Sequence, residues 1–86
     1  MSLAIAPIAV ARLTVRQRAL LLACDCRGRT WREVAFFARV NSECRDTIED
    51  FNELFDRGLL DWEGDRYTLT QAGREAQRRV QDGGAA

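Results

Sequence analysis

Three thiols and a large set of guanidinium and carboxylate groups are the side chains here that could do chemistry. The thiols are Cys24, Cys26 and Cys44, and thirteen arginines face thirteen acids with no lysine and no histidine in 86 residues. Lack of imidazole removes the commonest general base, the usual zinc cages and the Ser-His-Asp arrangement. Ser2 and Ser42 are the only serines, so a serine nucleophile is poorly supplied. Cys24 and Cys26 are separated by one residue, which is not the spacing of zinc ligands, and an odd thiol count does not suit a secreted disulfide framework. The thiols read as small apolar packing groups. The expected chemistry is therefore recognition: no enzyme, no cofactor and no metal.

The charged groups are not spread evenly. Residues 1–42 hold seven arginines against two acids, a balance of +5. Residues 43–65 hold nine acids against Arg45 and Arg57, a balance of −7, and residues 66–86 return +2. The net zero thus conceals a dipolar molecule, and each pole asks for a partner of its own.

These groups must be positioned by one small domain, since the length supports a single core. Leu3 to Ala11 is apolar, but it lacks a basic start, is interrupted by Pro7 and is too short to cross a membrane. Residues 1–12 are expected to form an extended arm in a cytoplasmic protein. Thr14 and Gln17 then make a capping box for a first helix. Val15, Ala19, Leu22 and Cys26 are its expected inner stripe, widened by Leu20 and Leu21, with Arg27-Gly28 as the stop. Thr30 and Glu33 make a second capping box, for a helix to Ala38 whose inner face is Val34, Ala35, Phe37 and Ala38. Phe36 is expected at an exposed edge, and Asn41 is the turn residue suited to positive φ.

Ser42 is the expected N-cap of a third helix with Cys44, Ile48, Phe51, Leu54 and Phe55 on one face, ended by Arg57-Gly58. Leu59–Glu63 and Arg66–Thr70 read as strands around Gly64-Asp65. That register sets Trp62 opposite Tyr67 and Leu60 opposite Leu69 on the apolar face, with Glu63 opposite Arg66 and Asp61 opposite Thr68 on the polar face. Thr70 caps a last helix to Gln81 with the narrow stripe Ala72, Ala76 and Val80. The resulting division is an arm over 1–12, a domain over 13–81 and a tail over 82–86. The fold class is mainly α with a small β-hairpin (α+β).

Several pieces in this order resemble the winged helix-turn-helix plan, a three-helix core plus a C-terminal helix. Thr30-Trp31-Arg32-Glu33-Val34-Ala35 is similar to the "T-x-x-E-L-A" entry of its second helix. Asp56-Arg57-Gly58-Leu59-Leu60 is similar to its "E-R-G-L-L" lead into the wing. Tyr67-Thr68-Leu69-Thr70-Gln71-Ala72-Gly73 is similar to its "Y-x-L-T-x-x-G" exit. MarR- and PadR-type bacterial regulators share these pieces. The resemblance implies a small transcriptional regulator bound to double-stranded DNA. It implies Arg45 and Thr47 as base-edge or groove contacts. It makes Ser42, Asn41, Thr30, Arg32 and Arg39 phosphate contacts, and Arg66 the wing contact.

The outward face of the third helix is expected to hold Glu43, Arg45, Asp46, Thr47, Glu49, Asp50 and Glu53, five of the seven acidic. Affinity for DNA rests largely on neutralising phosphates. The same face therefore suggests an alternative: an interaction module, of bacterial or phage origin, docking Glu43, Asp46, Glu49, Asp50 and Glu53 on a basic protein. Homodimer formation through residues 1–12 and the C-terminal helix is a further expectation.

Overall fold

A computed structural model of the chain describes residues 13–82; the arm expected over 1–12 and all of the tail beyond Asp82 lie outside them. The described residues form helices α1 (Val15–Ala23), α2 (Trp31–Ala38) and α3 (Arg45–Asp56), strands β1 (Leu60–Glu63) and β2 (Arg66–Leu69), and helix α4 (Gln71–Gln81). The molecule is thus mainly α with a small antiparallel hairpin.

Local capping chemistry sets the helix starts. Thr14 Oγ1 accepts from the Gln17 N–H and Gln17 Oε1 accepts from the Thr14 N–H, both at 3.0 Å. Thr30 and Glu33 repeat the reciprocal pair, and Thr70 Oγ1 accepts from the Gly73 N–H. Each removes orphan backbone donors that a free helix end would expose.

Helix α1 is rotated from the expected orientation. Its buried residues are Gln17, Leu20, Leu21 and Ala23, whereas Val15 is 79% exposed and Leu22 is also exposed. Apolar residues surround this helix, so periodicity alone does not choose a face. What chooses is Gln17: a buried amide is tolerated only when partnered. Its Nε2 donates to Glu53 Oε1 at 2.7 Å and to the Asp50 carbonyl at 3.4 Å, which turns that side toward α3.

Helix α1 also stops at Ala23 rather than running on to Arg27. Gln77 of α4 donates to the carbonyls of Leu21 and Cys24, both at 3.0 Å, and so caps its end. The chain then goes extended and pairs with the free edge of β2. Arg29 N–H donates to the Tyr67 carbonyl at 3.0 Å and Tyr67 N–H returns a bond to Arg29 at 2.7 Å. Gly28 belongs to this crossing: a Cβ there would sit 3.2 Å from Arg66 Cβ.

In α2 the inner face is Val34 and Ala35 with Ala38 half-buried, while Phe37 is 54% exposed and Phe36 is 76% exposed. The left-handed residue after α2 is Arg39 (φ 60°), not Asn41. Asn41 instead accepts the Glu43 N–H on its side-chain oxygen at 2.9 Å, an Asx-type turn. That turn delays the next helix. Cys44, not Ser42, is the N-cap of α3, and Ser42 supplies its carbonyl to the Trp31 indole N–H at 3.0 Å.

The core gathers Leu13, Leu20, Leu21, Val34, Phe51, Leu54, Leu59, Leu60 and Leu69. Phe51 stands among Trp31, Phe55 and Tyr67, with ring centroids 4.6, 5.5 and 5.1 Å away, tying α2, α3 and β2 together. The hairpin register is the expected one: Leu60 opposite Leu69, Asp61 opposite Thr68, Trp62 opposite Tyr67, Glu63 opposite Arg66. On α4, Ala76 is buried with Ala72 and Val80 half-buried. Gly73 lets α4 approach the start of the hairpin, since a Cβ would meet the Leu59 carbonyl oxygen at 1.9 Å. No helix among the described residues is long and apolar enough to cross a membrane.

Candidate functional site

The recognition groups singled out from the sequence divide into an α3–hairpin face, the turn between α2 and α3, and the seam between α1 and α3. The elements that carry them decide which are offered to solvent and which are used internally.

The seam consumes two acids and two basic groups. Arg16 pairs with Asp50 at 3.4 Å. Glu53 accepts Gln17 on one carboxylate oxygen and Arg57 on the other, the latter at 2.6 Å. Donation from Arg57, then from Gln17, holds the Glu53 carboxyl below the usual carboxylate range. Asp50 is therefore half-buried against α1, and Glu53 is engaged by Gln17 and Arg57 while its side chain stays exposed. Nothing in the charge pattern marks Gln17 as the partner that draws them there.

Thr47, expected on the outward face, is 3% exposed and packs inside. It is in phase with Phe51 and Leu54, four and seven residues on, and so lies on the buried face of α3. The exposed residues of α3 are Arg45, Asp46, Ile48, Glu49, Asn52, Glu53 and Asp56. Arg45 reaches only Glu49, at 3.9 Å between two well-exposed side chains. Glu43 is exposed in the turn before the helix rather than on it.

The hairpin continues the acidic surface. Asp61, Glu63 and Asp65 are exposed and make no ion pair among the described residues. Arg66 is turned away from the tip, donating to the Gly28 carbonyl at 3.1 Å and lying 4.0 Å from Glu33. Trp62 shares the strand face that carries Tyr67 toward α3, yet it extends past the core and is 60% exposed. Strand alternation assigns Trp62 to the apolar face but does not say where the core beneath that face ends. The hairpin thus carries an exposed indole on one face and exposed carboxylates on the other and at its tip.

The expected phosphate contacts do not form one set. Arg32, Ser42 and Glu43 line one shallow groove with Phe36. Arg39 lines another, with Leu22, Arg29 and Phe37. Thr30 is occupied by its capping box, and Asn41 by its turn.

The thiols stay separate. Cys24 is buried, and burial pushes its thiol up to about 12. Cys26 is exposed. Cys44 opens α3, where the Thr47 N–H, then the Thr47 hydroxyl, hold its thiol below the ordinary value. No cluster of three potential metal ligands occurs among the described residues.

No family model and no curated protein matches this chain.

Proposed function

We propose that the chain is a winged helix-turn-helix module that docks its α3–hairpin face on a basic protein surface, as a small cytoplasmic inhibitor or adaptor. The element order and the residue pieces at Thr30–Ala35, Asp56–Leu60 and Tyr67–Gly73 support the winged-helix reading. So does the pairing of the α1–α2 loop with β2 through single bridges at Asp25 and Arg29. The observation that carries the function is the outward surface itself. Asp46 and Glu49 on α3 and Asp61, Glu63 and Asp65 on the hairpin stand exposed, with Arg45 beside Glu49 and Arg66 opposite Glu63, and Trp62 is exposed on the other face of its strand. Phosphates would be repelled there, whereas a basic protein patch would be neutralised, and an exposed indole suits a protein interface.

A second reading, a DNA-binding regulator, draws on Arg32 and Arg45, both exposed and neither held in a close ion pair. It must do without Thr47, which is buried, and with Arg66 already engaged. Charge reversal at Asp46 and Glu49 separates the two. Asp46→Arg/Glu49→Arg should abolish co-purification of a stoichiometric protein partner. Salt-sensitive binding of mixed duplexes at micromolar protein, strengthened by that reversal and lost on Arg45→Ala, would overturn the protein reading in favour of DNA.

A further inference from the structure

The large apolar side chains that stand exposed among the described residues fall into two groups. Val15, Leu22, Phe36 and Phe37 lie on α1 and α2, and Ile48 and Trp62 lie on α3 and the hairpin. The charges beside the two groups have opposite sign. Arg39 lines a shallow groove with Leu22, Arg29 and Phe37, and Arg32 lines a second with Phe36. Arg32 and Arg39 are exposed and form no ion pair among the described residues. Glu43 is the only acid that lines either groove. On α3, by contrast, Asp46, Glu49 and Asp56 are exposed with Ile48, and Arg45 is the one basic residue of the helix.

We propose that the α1–α2 face of one copy of this chain receives the α3–hairpin face of a second copy. The inference rests on the reading of the α3–hairpin face as one that seeks a basic protein surface, and it names that surface. Both halves of the contact are present on each molecule. Trp62 and Ile48 would leave water against Phe36, Phe37 and Leu22, and Arg32 and Arg39 would meet the carboxylates of α3. The receiving surface is ordered in advance. The Arg29 guanidinium lies 4.0 Å from the Phe37 ring centroid, and the Phe36 ring meets Phe37 edge-on at 5.5 Å. Little freedom is then lost on docking.

Two other arrangements fit less well. Pairing of like faces would set arginine against arginine or carboxylate against carboxylate, which is costly. Helix α4 also displays Arg74, Arg78 and Arg79, but it exposes no large apolar side chain to shelter Trp62 and Ile48. The contact is therefore head to tail, between unlike faces, and it repeats into a ring or an open chain of copies. A foreign basic protein competes with the second copy for the same α3–hairpin face.

The test uses the full chain. Sedimentation over about 1–300 μM should show association that grows with concentration and weakens with salt. Tryptophan emission should shift to the blue in parallel as Trp62 leaves water, and Trp62→Phe should lose that shift. Arg32→Glu/Arg39→Glu and Asp46→Arg/Glu49→Arg should each weaken association at least about ten-fold. Mixed together they should recover it as a one-to-one pair, because each variant keeps the face that the other has lost. All four residues are exposed, so both variants should fold, and circular dichroism checks this. A parent that stays monomeric at every concentration, association that survives either reversal, or folded variants that do not combine would overturn the proposal. If the monomeric parent still co-purifies with another protein, and Asp46→Arg/Glu49→Arg breaks that complex, this inference falls and the reading of the face stands. If neither self-association nor such a complex is found, both fall.

Discussion

The two long faces of this molecule use the same side-chain chemistry in opposite ways. On the α1–α2 side, Arg16 is engaged with Asp50 and Arg29 with Asp25 and Phe37, and the exposed surface combines Val15, Leu22, Phe36 and Phe37 with Arg32 and Arg39. On the α3–hairpin side, the apolar groups go inward as Phe51, Leu54, Leu60 and Leu69, and the exposed surface is acidic. Helix α3 belongs to both: Asp50 and Glu53 are spent on the seam with α1, and Asp46 and Glu49 are left for solvent. The charge segregation of the sequence resolves into an internally paired seam, an apolar face edged by Arg32 and Arg39, and an exposed set of acids on α3 and the hairpin.

The largest test of this contrast compares two phenylalanines. Phe51→Ala, at the centre of the aromatic cluster, should cost about 4 kcal/mol. Phe36→Ala, out on the exposed side, should stay within about 0.5 kcal/mol. Urea unfolding of both variants measures the difference, and equal costs would mean that the faces are not partitioned as described. Next comes the seam. Gln17→Ala leaves the Thr14 N–H without its cap and removes a fully buried amide that bonds Glu53 and the Asp50 carbonyl, a loss of about 1–3 kcal/mol. A loss under about 0.5 kcal/mol would show that packing rather than the amide orients α1.

The smallest effect is electrostatic. The Glu53 carboxyl is depressed by Arg57 and Gln17. A carboxyl depressed in the folded state adds stability above its unfolded value, about 4.3, and that stability is lost as pH falls through the folded value. The stability of Glu53→Gln should accordingly fall less steeply than that of the parent below about pH 4.3. Parallel curves would remove Glu53 from the seam.

Features written in adjacent residues were open to reading in advance. The capping boxes at Thr14 and Thr30, the cap at Thr70 and the hairpin register around Gly64-Asp65 each depend on groups three or four positions apart, and each forms as expected. The stop at Gly58, with φ of 76°, is of the same kind. The candidate site was less open. Thr47 is expected outward with Ile48 inward. Thr47 instead lies one turn before Phe51 and two before Leu54 and shares their buried face, while Ile48 is exposed. The cap at Cys44 rather than Ser42 goes with the Asn41 turn and the bond from the Trp31 indole to the Ser42 carbonyl. Arg66 seemed free at the hairpin because its acceptor, the Gly28 carbonyl, lies 38 residues away in the chain.

The sequence by itself determined where the helices begin, how the hairpin pairs and how strongly its charge is segregated, because those properties rest on short-range hydrogen bonds and simple composition. Only the tertiary structure decided which side of α1 is buried and which acids of α3 remain exposed. Apolar residues encircle α1, so local periodicity is degenerate there. The choice falls to one distant contact, the Gln17 amide on Glu53 and the Asp50 carbonyl, since a buried amide must be satisfied and only α3 supplies the acceptors. That contact leaves Val15 and Leu22 facing outward and sets Asp50 and Glu53 apart from Asp46 and Glu49.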